Sequence, residues 1–441
     1  MSDETRLIKP RSISGFPEWL PHEKEEEERC LSLLRETFRS FGYTPLETAS
    51  VELTEVLASK GVEEKEIYDL IRHQGEGEES GLSLHFDLTV PFARYVALNY
   101  GQLAFPFKRY QIQKVWRGER PAQGRFREFY QCDIDVVANG PLPLEYDAEL
   151  LEVMATALAR LDVGRPVFMV NHRRILDGFY NHLGIGPELR PAVLLEVDKL
   201  EKTGRESVAR QLQDKLSLTG ETLEQILHFA ALRCDPDGLP DLLRALEVKD
   251  EVFLAGLAEL ESIFALLPTG LGDFTYNGSI TRGLNYYTGI ICETLIQGAE
   301  SFGSVCSGGR YEGLTRLFSN QELPGCGMSI GLTRLLAWLF AKRDKNTGGR
   351  SSPSEILIAA MPSVPHSELL LLGRELRSMG LNVEVFPPAK LKKQLAYADR
   401  KGIPGIIIPN DDGSFDLKDM SSGQQARLTR EELVVRLQAG R

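Results

Sequence analysis

The stretch RPAQGRFREFYQCDIDVVA, residues 120–138, begins as an arginine-rich loop and ends as a strand of alternating character. Alternate residues of a strand point to the same face of a sheet. One face of residues 128–137 is apolar, with Tyr130, Cys132, Ile134 and Val136, and the other carries Phe129, Gln131, Asp133, Asp135 and Val137. The segment KRYQIQKVWR lies on the other side of the loop, so the two segments predict an antiparallel hairpin with a long tip.

The polar face of this predicted strand has two explanations. An antiparallel sheet often turns one face to solvent, and the polar residues would then form an ordinary wetted surface. Alternatively the face binds a phosphate-bearing ligand, because Arg125 and Arg127 join it if the extended conformation reaches back. Arginine grips phosphate oxygens in a fork geometry, Phe129 offers a surface on which a base can stack, and the carboxylates suit an ammonium or imidazole group. The strand alone leaves both explanations open.

A second polar segment is HFDLTVPFAR, residues 85–94. We predict a strand over residues 82–89 with Asp87 and Thr89 on one side, followed by a helix that begins near Pro91. These two side chains are candidates for the same binding face.

Two later segments add cations and aromatic rings. TRGLNYYTG (281–289) places an arginine and two tyrosines before an apolar strand, and GCGMSIGLTRLL (325–336) predicts Arg334 in the first turn of a helix after a glycine-lined strand. Each alone has an ordinary explanation, a solvated helix cation or core aromatics. The sequence contains no GxGxxG motif or P-loop, which excludes a Rossmann or Walker phosphate cradle. Together the segments predict phosphate bound by side chains on an antiparallel sheet.

Composition limits the class of protein. A chain of 441 residues is too long for one ordinary core and predicts two or three domains, and 42% hydrophobic with 26% charged residues fits a soluble globular protein. We find no apolar run long enough for a membrane span and no secretory signal, which predicts a cytoplasmic protein. The six cysteines are isolated, which argues against a disulfide framework or a metal site built from protein alone. The net charge of −12 disfavours indiscriminate nucleic-acid binding but allows a local basic surface.

The order of predicted helices, strands and polar stretches along the sequence indicates its domain organisation. Residues from about 171 to 267 read as successive helices between β-rich segments, which predicts a helical insertion within a domain spanning 1–343. DKNTGGRSSPS (344–354) is polar and rich in glycine and serine, as linkers are. Residues 355–441 alternate strands with helices, which predicts a small α/β domain.

These segments together resemble the class II aminoacyl-tRNA synthetases, and among them the histidyl-tRNA synthetases. RGERPAQGRFREFYQCDID resembles class II motif 2, and GMSIGLTRLL resembles motif 3. TRGLNYYTGIICE and SVCSGGRYEGL resemble the two signatures that distinguish the histidyl enzymes, and HFDLTVPFAR is similar to their histidine-binding strand. The resemblance covers nearly the whole chain. It implies an α+β catalytic domain on the class II antiparallel sheet flanked by helices, with a helical insertion and a C-terminal α/β anticodon-binding domain.

The resemblance implies that the protein joins L-histidine to tRNA(His) through a histidyl-adenylate made from ATP with Mg²⁺. It assigns ATP binding to Arg117, Glu119, Arg125, Phe129 and Arg334. It assigns histidine binding to Asp87, Leu88, Thr89, Arg117, Gln131, Asp135, Arg282, Tyr286, Tyr287 and Tyr311. The catalytic residues would be Arg117 and Arg282, of which Arg282 would be the arginine peculiar to this family.

The resemblance also implies a tRNA partner and a homodimer. Candidate tRNA contacts are Arg127 in the hairpin and Lys390, Lys392 and Lys393 on one C-terminal helix. The ordinary explanation of such a lysine run is a solvated helix face, and the sequence does not decide between the two. A symmetric dimer contact leaves no motif in a sequence.

Several positions depart from the usual histidyl pattern, among them His85 where arginine is common, Asn285 in place of aspartate, and Thr333 in place of glutamate. They leave two alternatives open. One is a histidyl-synthetase-like regulatory subunit of ATP phosphoribosyltransferase, against which stand the retained arginines and the C-terminal domain. The other is a threonyl, prolyl or glycyl synthetase, against which stand the RGLNYY and GGRYEG segments.

Overall fold

The structure is a computed structural model that describes residues 8–58, 66–71, 80–270, 272–281, 287–342 and 350–439. The chain divides into two compact units, one of Met1–Pro17 with Leu31–Leu339 and the other of Glu18–Cys30 with Phe340–Arg441. Within the ranges given above, no helix combines the length and the apolar composition needed to cross a membrane.

The elements up to residue 342 are as follows. The strands are β1 (Thr44–Pro45), β2 (Val51–Leu53), β3 (Tyr68–Asp69), β4 (Leu82–Leu84), β5 (Phe107–Trp116), β6 (Glu128–Val137), β7 (Pro166–His172), β8 (Arg233–Cys234), β9 (Asp273–Asn277), β10 (Tyr287–Ile296), β11 (Cys306–Tyr311) and β12 (Gly325–Gly331). The helices are α1 (Pro21–Ser40), α2 (Thr54–Ala58), α3 (Thr89–Leu98), α4 (Glu145–Leu161), α5 (Arg173–His182), α6 (Arg190–Val197), α7 (Leu200–Thr203), α8 (Arg205–Leu216), α9 (Gly220–Ala231), α10 (Leu239–Arg244), α11 (Glu251–Ala265) and α12 (Leu332–Lys342).

A nine-stranded sheet with the order β1-β5-β6-β12-β11-β10-β7-β9-β8 organises the first unit. Its neighbours are antiparallel except for β1 with β5 and β7 with β9. β5 and β6 form the predicted hairpin, in which Trp116 pairs with Glu128 and residues 117–127 make the long tip. A smaller sheet has the order β2-β4-β3. The mixed α+β fold built on a largely antiparallel sheet is therefore confirmed.

One face of β6 is apolar and the other polar, as the alternation predicts. In the C-terminal half of the strand, however, neither face is exposed to solvent. Cys132, Ile134 and Val136 are fully buried in the core. Asp133 and Asp135 on the opposite face are each only 4% exposed. Helix α3 packs against the end of that face, where the centre of its Phe92 ring lies 4.2 Å from the guanidinium carbon of Arg109 on β5 and Phe92 belongs to one core cluster with Val137. In this half of the strand, the explanation of the polar face as a solvent-exposed surface is therefore wrong.

The predicted strand over residues 82–89 is also wrong beyond its first three residues. β4 ends at Leu84, and Thr89 is already the first residue of α3. The Asp87 carboxylate accepts a hydrogen bond from the Val90 N–H at 3.1 Å, which satisfies one of the free donors at the start of a helix. The alternating pattern gave a wrong prediction because Asp87, which caps the helix, stands where a strand would have a polar residue.

Helices α5 to α11, called here the helical insertion, lie between β7 and β9 in the sequence. The predicted start near residue 171 is slightly early, because Asn171 and His172 still belong to β7. The insertion also contains the short strand β8, which pairs with β9 at the edge of the large sheet.

The second unit contains a five-stranded mixed sheet with the order β14-β13-β15-β16-β17. Its strands are β13 (Ile356–Ile358), β14 (Val383–Val385), β15 (Gly405–Pro409), β16 (Phe415–Asp419) and β17 (Gln425–Leu428), and its helices are α13 (His366–Ser378), α14 (Leu391–Lys401) and α15 (Arg430–Ala439). β13 is parallel to both β14 and β15. Core residues lie on both faces of the sheet, Leu372 and Leu376 of α13 in one cluster and Ala398 of α14 in the other. This is the small α/β domain that the alternating pattern predicts.

Candidate active site

The hairpin tip and two neighbouring strands enclose a cavity of about 240 Å³, called here the arginine cavity. Its lining includes Arg117, Glu119, Arg125, Phe129, Gln131, Ser307, Ser329 and Arg334. Three arginines from two distant parts of the sequence, the hairpin tip and α12, therefore share one cavity with an aromatic ring and a carboxylate. All five residues to which the resemblance assigns ATP binding lie in this lining.

Arg334 projects from the first turn of α12, as predicted, and holds the hairpin tip. Its Nε donates to the Gly124 carbonyl at 2.8 Å, and the same guanidinium contacts the Ser304 carbonyl. These bonds join the tip of the β5–β6 hairpin to the segments flanking β11 and β12. The cavity wall is thereby built from parts of the chain some two hundred residues apart.

Arg117 follows β5 directly and connects the cavity to the turn before α3. Its Nε donates to the Phe86 carbonyl at 3.0 Å, and its guanidinium carbon lies 5.1 Å from the centre of the Phe129 ring. Glu119 lies 3.2 Å from Arg125 and 4.0 Å from Arg117. Each of these two cations therefore has a carboxylate near it and an open cavity beside it.

A second group of charged residues is buried beside the cavity. We call it the Asp135 cluster: Arg109, Asp133, Asp135 and Tyr311. Asp135 Oδ2 lies 2.7 Å from Arg109 Nη2, and the Tyr311 hydroxyl donates to Asp135 Oδ1 at 2.7 Å. Arg109 is fully buried. A buried arginine held this way fixes the orientation of the carboxylate.

Glycine leaves the room that this cluster needs. A Cβ on Gly327 of β12 would lie 2.1 Å from the Asp135 carboxylate, so any larger residue there would displace Asp135. Tyr287, the first residue of β10, pairs with Tyr311 in register. The glycines of β12 thus leave space for the side chains of the neighbouring strands.

Asp133 brings a second carboxyl group into the cluster. Burial raises its pKa to about 7, because desolvation and the neighbouring Asp135 charge outweigh the attraction of Arg109. Its Oδ1 has no hydrogen-bond partner among the residues that the structure describes. Burial, followed by the charges of Asp135 and Asp133, also raises the pKa of Tyr287.

The cavity and the cluster are neighbours on one sheet face. Ser329 pairs opposite Asp133 in the register of β12 and β6, and Ser329 also lines the arginine cavity. Gln131 lines the cavity as well, donates to the Ser329 hydroxyl at 3.2 Å, and is two residues from Asp133. A ligand with a phosphate at one end and a cationic or polar ring at the other would span both.

Other predicted site residues lie elsewhere or are less accessible. Arg127 donates to the Glu119 carbonyl and packs beside Gly15, instead of facing the cavity with Arg125 as the strand pattern predicted, because β6 begins only at Glu128. Leu88 is fully buried, and Asp87 caps α3. Arg282 and Tyr286 lie outside the described residues, as does Asn285.

Two departures noted in the sequence have local explanations. His85 is buried, and its Nε2 is 2.7 Å from the Lys114 carbonyl. Burial lowers its pKa, so it is suited to remain neutral where an arginine would bring a charge. Thr333 Oγ1 accepts a hydrogen bond from the Tyr130 N–H at 2.9 Å, tying α12 to the start of β6.

Arg109 is the important residue that the sequence reasoning missed. The signal was present, since Arg109, Gln111 and Gln113 occupy alternate positions of KRYQIQKVW and therefore share a face. The β5–β6 register places Arg109 opposite Asp135. That register is the piece of information that alternation within one strand does not contain.

Comparisons with known proteins agree with this geometry. A family model described as histidyl-tRNA synthetase matches residues 15–335, and one described as anticodon binding domain matches residues 366–440. The histidine–tRNA ligase of Thermobifida fusca is 43% identical over 429 residues, which is 96% of this chain and 97% of that protein. That of Xanthomonas campestris is 41% identical over 463 residues, which is 98% of this chain and 96% of that protein.

Solved structures show the same relationship. The crystal structure of histidyl-tRNA synthetase from Nostoc sp. superposes with a TM-score of 0.88 at 35% identity, over 99% of this chain and all of that one. An ATP phosphoribosyltransferase regulatory subunit/histidyl-tRNA synthetase from Bacillus halodurans gives a TM-score of 0.72 at 19% identity, over 89% of this chain and 97% of that one. At that identity the second likeness shows the fold alone.

An antiparallel sheet that carries an arginine-lined cavity at its hairpin, together with an anticodon-binding domain, defines a class II aminoacyl-tRNA synthetase. Within that class, the family match and the relatives over the full length are decisive. The chain belongs to the histidyl-tRNA synthetase family. The family expected from the sequence is therefore confirmed.

Proposed function

We propose that this protein is a histidine–tRNA ligase whose arginine cavity holds ATP and whose Asp135 cluster holds the histidine side chain. The observation that carries this proposal is the junction of the two: Ser329 lines the cavity and pairs opposite Asp133. The two reactants of adenylate formation would then meet on one sheet face. Holding them in that geometry supplies much of the rate of such a reaction.

At the nucleotide end, Arg117, Arg125 and Arg334 would neutralise the triphosphate. Phe129 would stack on adenine, and Glu119 would bind on the adenine side. A carboxylate oxygen of histidine attacks the α-phosphorus, and pyrophosphate leaves with the bonding electron pair. The terminal ribose hydroxyl of tRNA then attacks the acyl carbon and releases AMP. Neither step needs a side-chain nucleophile, so placement and charge stabilisation carry the chemistry.

At the histidine end, Asp135 and Tyr311 would recognise the imidazole, with Tyr287 closing the same side. Gln131, Asp87 and Thr89 would face the amino acid's ammonium group, and Arg117 its carboxylate. Arg109 holds Asp135 in place for this contact. The contributions of Arg282, Tyr286 and Leu88 rest on the family resemblance. Arg282→Ala is expected to abolish adenylate formation while leaving the free energy of unfolding unchanged.

Mg²⁺ would enter with ATP. Among the described residues no group of three or more histidine, cysteine or acidic side chains could hold a metal ion. The ion would supply further neutralisation of phosphate charge.

For tRNA, we propose contacts from Arg127 and from the exposed Lys390, Lys392 and Lys393 at the start of α14. A cavity of about 420 Å³ beside them is lined by Lys393, Arg400, Lys401 and the Tyr397 ring. Cations interleaved with an aromatic ring suit single-stranded nucleic acid. This combination favours the tRNA explanation of the lysine run over a merely solvated face.

The wider assignments belong to the same proposal. We retain residues 1–343 as the catalytic domain, 344–354 as a linker and 355–441 as the anticodon-binding domain. We also propose a homodimer and a cytoplasmic location, where the tRNA substrate is found.

The test is ATP–pyrophosphate exchange with a panel of amino acids. Exchange that depends on histidine and on no other amino acid supports the proposal. Exchange with threonine, proline or glycine would replace it by another class II activity. No exchange with any amino acid, together with co-purification of a phosphoribosyltransferase, would favour the regulatory-subunit alternative.

A further inference from the structure

The five residues that directly precede Arg282 are held by hydrogen bonds from several parts of the fold. Residues 277–281 leave the end of β9, and Ser279, Ile280 and Thr281 are buried. A buried turn needs partners for its backbone and side-chain polar groups, and those partners show which parts of the fold determine its position.

One set of partners comes from the large sheet. Asn171 of β7 is fully buried, and its Nδ2 donates to the carbonyls of Gly278 at 3.4 Å and Ile280 at 3.0 Å. Asn277 Oδ1 accepts from both the N–H and the hydroxyl of Ser279, at 2.9 Å and 2.8 Å. These bonds fix the turn on its sheet side.

The other set comes from the helical insertion. The Thr281 hydroxyl donates to the Leu194 carbonyl of α6 at 3.0 Å. The Gly278 N–H donates to the Leu232 carbonyl, just past α9, at 3.1 Å. A Cβ on Gly278 would lie 2.1 Å from the Phe229 carbonyl oxygen, so the turn and the end of α9 approach as closely as glycine allows.

Arg233 joins these two sets. Its Nη2 donates to the Ser279 hydroxyl at 3.0 Å, while its Nη1 donates to the carbonyls of Ala230 at 2.8 Å and Leu232 at 2.7 Å. The last carbonyls of a helix lack partners within the helix and attract a cation. One guanidinium thus caps α9 and holds the turn that leads to position 282.

We propose that the helical insertion is the frame that positions the segment entering the family's signature arginine, with Arg233 and Thr281 as positioning residues. The inference rests on the proposed function, since that function gives Arg282 its role. Loosening the frame should lower the rate of adenylate formation and leave ATP affinity almost unchanged, because the arginine cavity is built from other elements. A displacement of about 1 Å at such a site can lower the rate about 100-fold.

The test compares two arginines of the insertion. Arg233→Met removes the bond to Ser279 together with the bonds to the end of α9 and to Glu201. Arg205→Met breaks only the Arg205–Glu224 ion pair, 2.6 Å long, on the surface of the insertion. We expect Arg233→Met to lower kcat of histidine-dependent pyrophosphate exchange about tenfold or more, with KM for ATP within about twofold of wild type. Arg205→Met should retain wild-type kcat. Melting temperatures measured alongside separate positioning from loss of fold.

A second pair of variants keeps the test decisive if Arg233→Met does not fold. Thr281→Val removes the hydroxyl that reaches Leu194, and Thr281→Ser restores it. We expect kcat to fall in the first and recover in the second. Folded Arg233→Met or Thr281→Val enzyme with wild-type kcat would overturn the inference alone. A wild-type protein that does not activate histidine would overturn the proposed function, and this inference with it.

Discussion

The two ends of β6 hold charged groups in opposite ways. Toward its start, the arginines of the cavity are accessible, and Arg125 has 57% of its side chain exposed. Toward its end, Arg109 is fully buried and paired with Asp135. The first arrangement leaves cations available to a ligand that arrives with its own negative charge. The second fixes one carboxylate so that a small ring can be recognised by shape and hydrogen bonding.

The same residue types therefore have two roles along one hairpin: exposed ones are available to bind a ligand, and buried ones hold each other in place. Arginines and carboxylates occur at both ends, yet those near the tip would act on the ligand and those near the base act first on each other. Changes at the base should therefore alter stability most, and changes at the tip should alter activity most.

The largest effect is expected at the base. Arg109→Leu leaves the Asp135 carboxylate buried without its cation and should lower the free energy of unfolding by about 3–5 kcal/mol. Arg125→Leu, at the exposed end, should cost less than about 1 kcal/mol. Urea denaturation of both variants measures the difference. Adding Asp135→Asn to Arg109→Leu should restore part of the lost stability. Equal small losses of stability in Arg109→Leu and Arg125→Leu would contradict the difference between the two ends of the hairpin.

The next effect concerns activity. Arg117→Ala removes a cation from the arginine cavity, and kcat/KM for pyrophosphate exchange should fall about 100-fold or more. The free energy of unfolding should change little. Arg160→Ala provides the control, because Arg160 pairs with Glu36 at 2.8 Å on the surface, away from the cavity lining. Similar activity in the two variants would contradict the role of the cavity.

A smaller effect is expected in the pH dependence of stability. The Asp133 carboxyl keeps its proton to about pH 7 in the folded protein, whereas its usual pKa is 3.8. The folded state therefore binds more protons than the unfolded state between these values, and this group's contribution to stability falls as pH rises from about 4 to 7.

Asp133→Asn removes that dependence. The variant should gain stability relative to wild type as pH rises through this range, and the difference should level off above about pH 7. Denaturation midpoints of both proteins from about pH 4 to about pH 8 test this. A difference that is constant with pH would show that folding does not raise the pKa of Asp133.

The smallest effect is expected in the second unit. Replacing Lys392 and Lys393 by alanine should reduce the dependence of tRNA affinity on salt, by about 0.7–0.9 in the logarithmic slope for each phosphate that is no longer neutralised. Lys418→Ala, which removes one positive charge from β16, serves as a control for loss of a lysine elsewhere in the same unit. An unchanged slope in the double variant would mean that α14 presents only a solvated face.

Much of the fold followed from local pattern. The alternation in REFYQCDIDVV predicted β6 and its core face. The glycine- and serine-rich stretch before Pro353 marked the change to the alternating strands and helices of the C-terminal region. These features depend on neighbours a few residues apart, which a single sequence contains.

The site residues that were missed or misplaced depend on distant contacts. Arg109 acquires its meaning from the register of β5 with β6, and Asp87 from the helix it caps. The anchoring of residues 277–281 requires partners up to 109 positions away. Asp133 is buried although the polarity of its strand face suggested exposure.

The most direct test of the central claim is a crystal structure with histidine and a non-hydrolysable ATP analogue. We predict phosphate oxygens within hydrogen-bonding distance of Arg117, Arg125 and Arg334, and an imidazole beside Asp135 and Tyr311. A nucleotide bound away from these arginines, or an amino acid that leaves Asp135 untouched, would contradict the account.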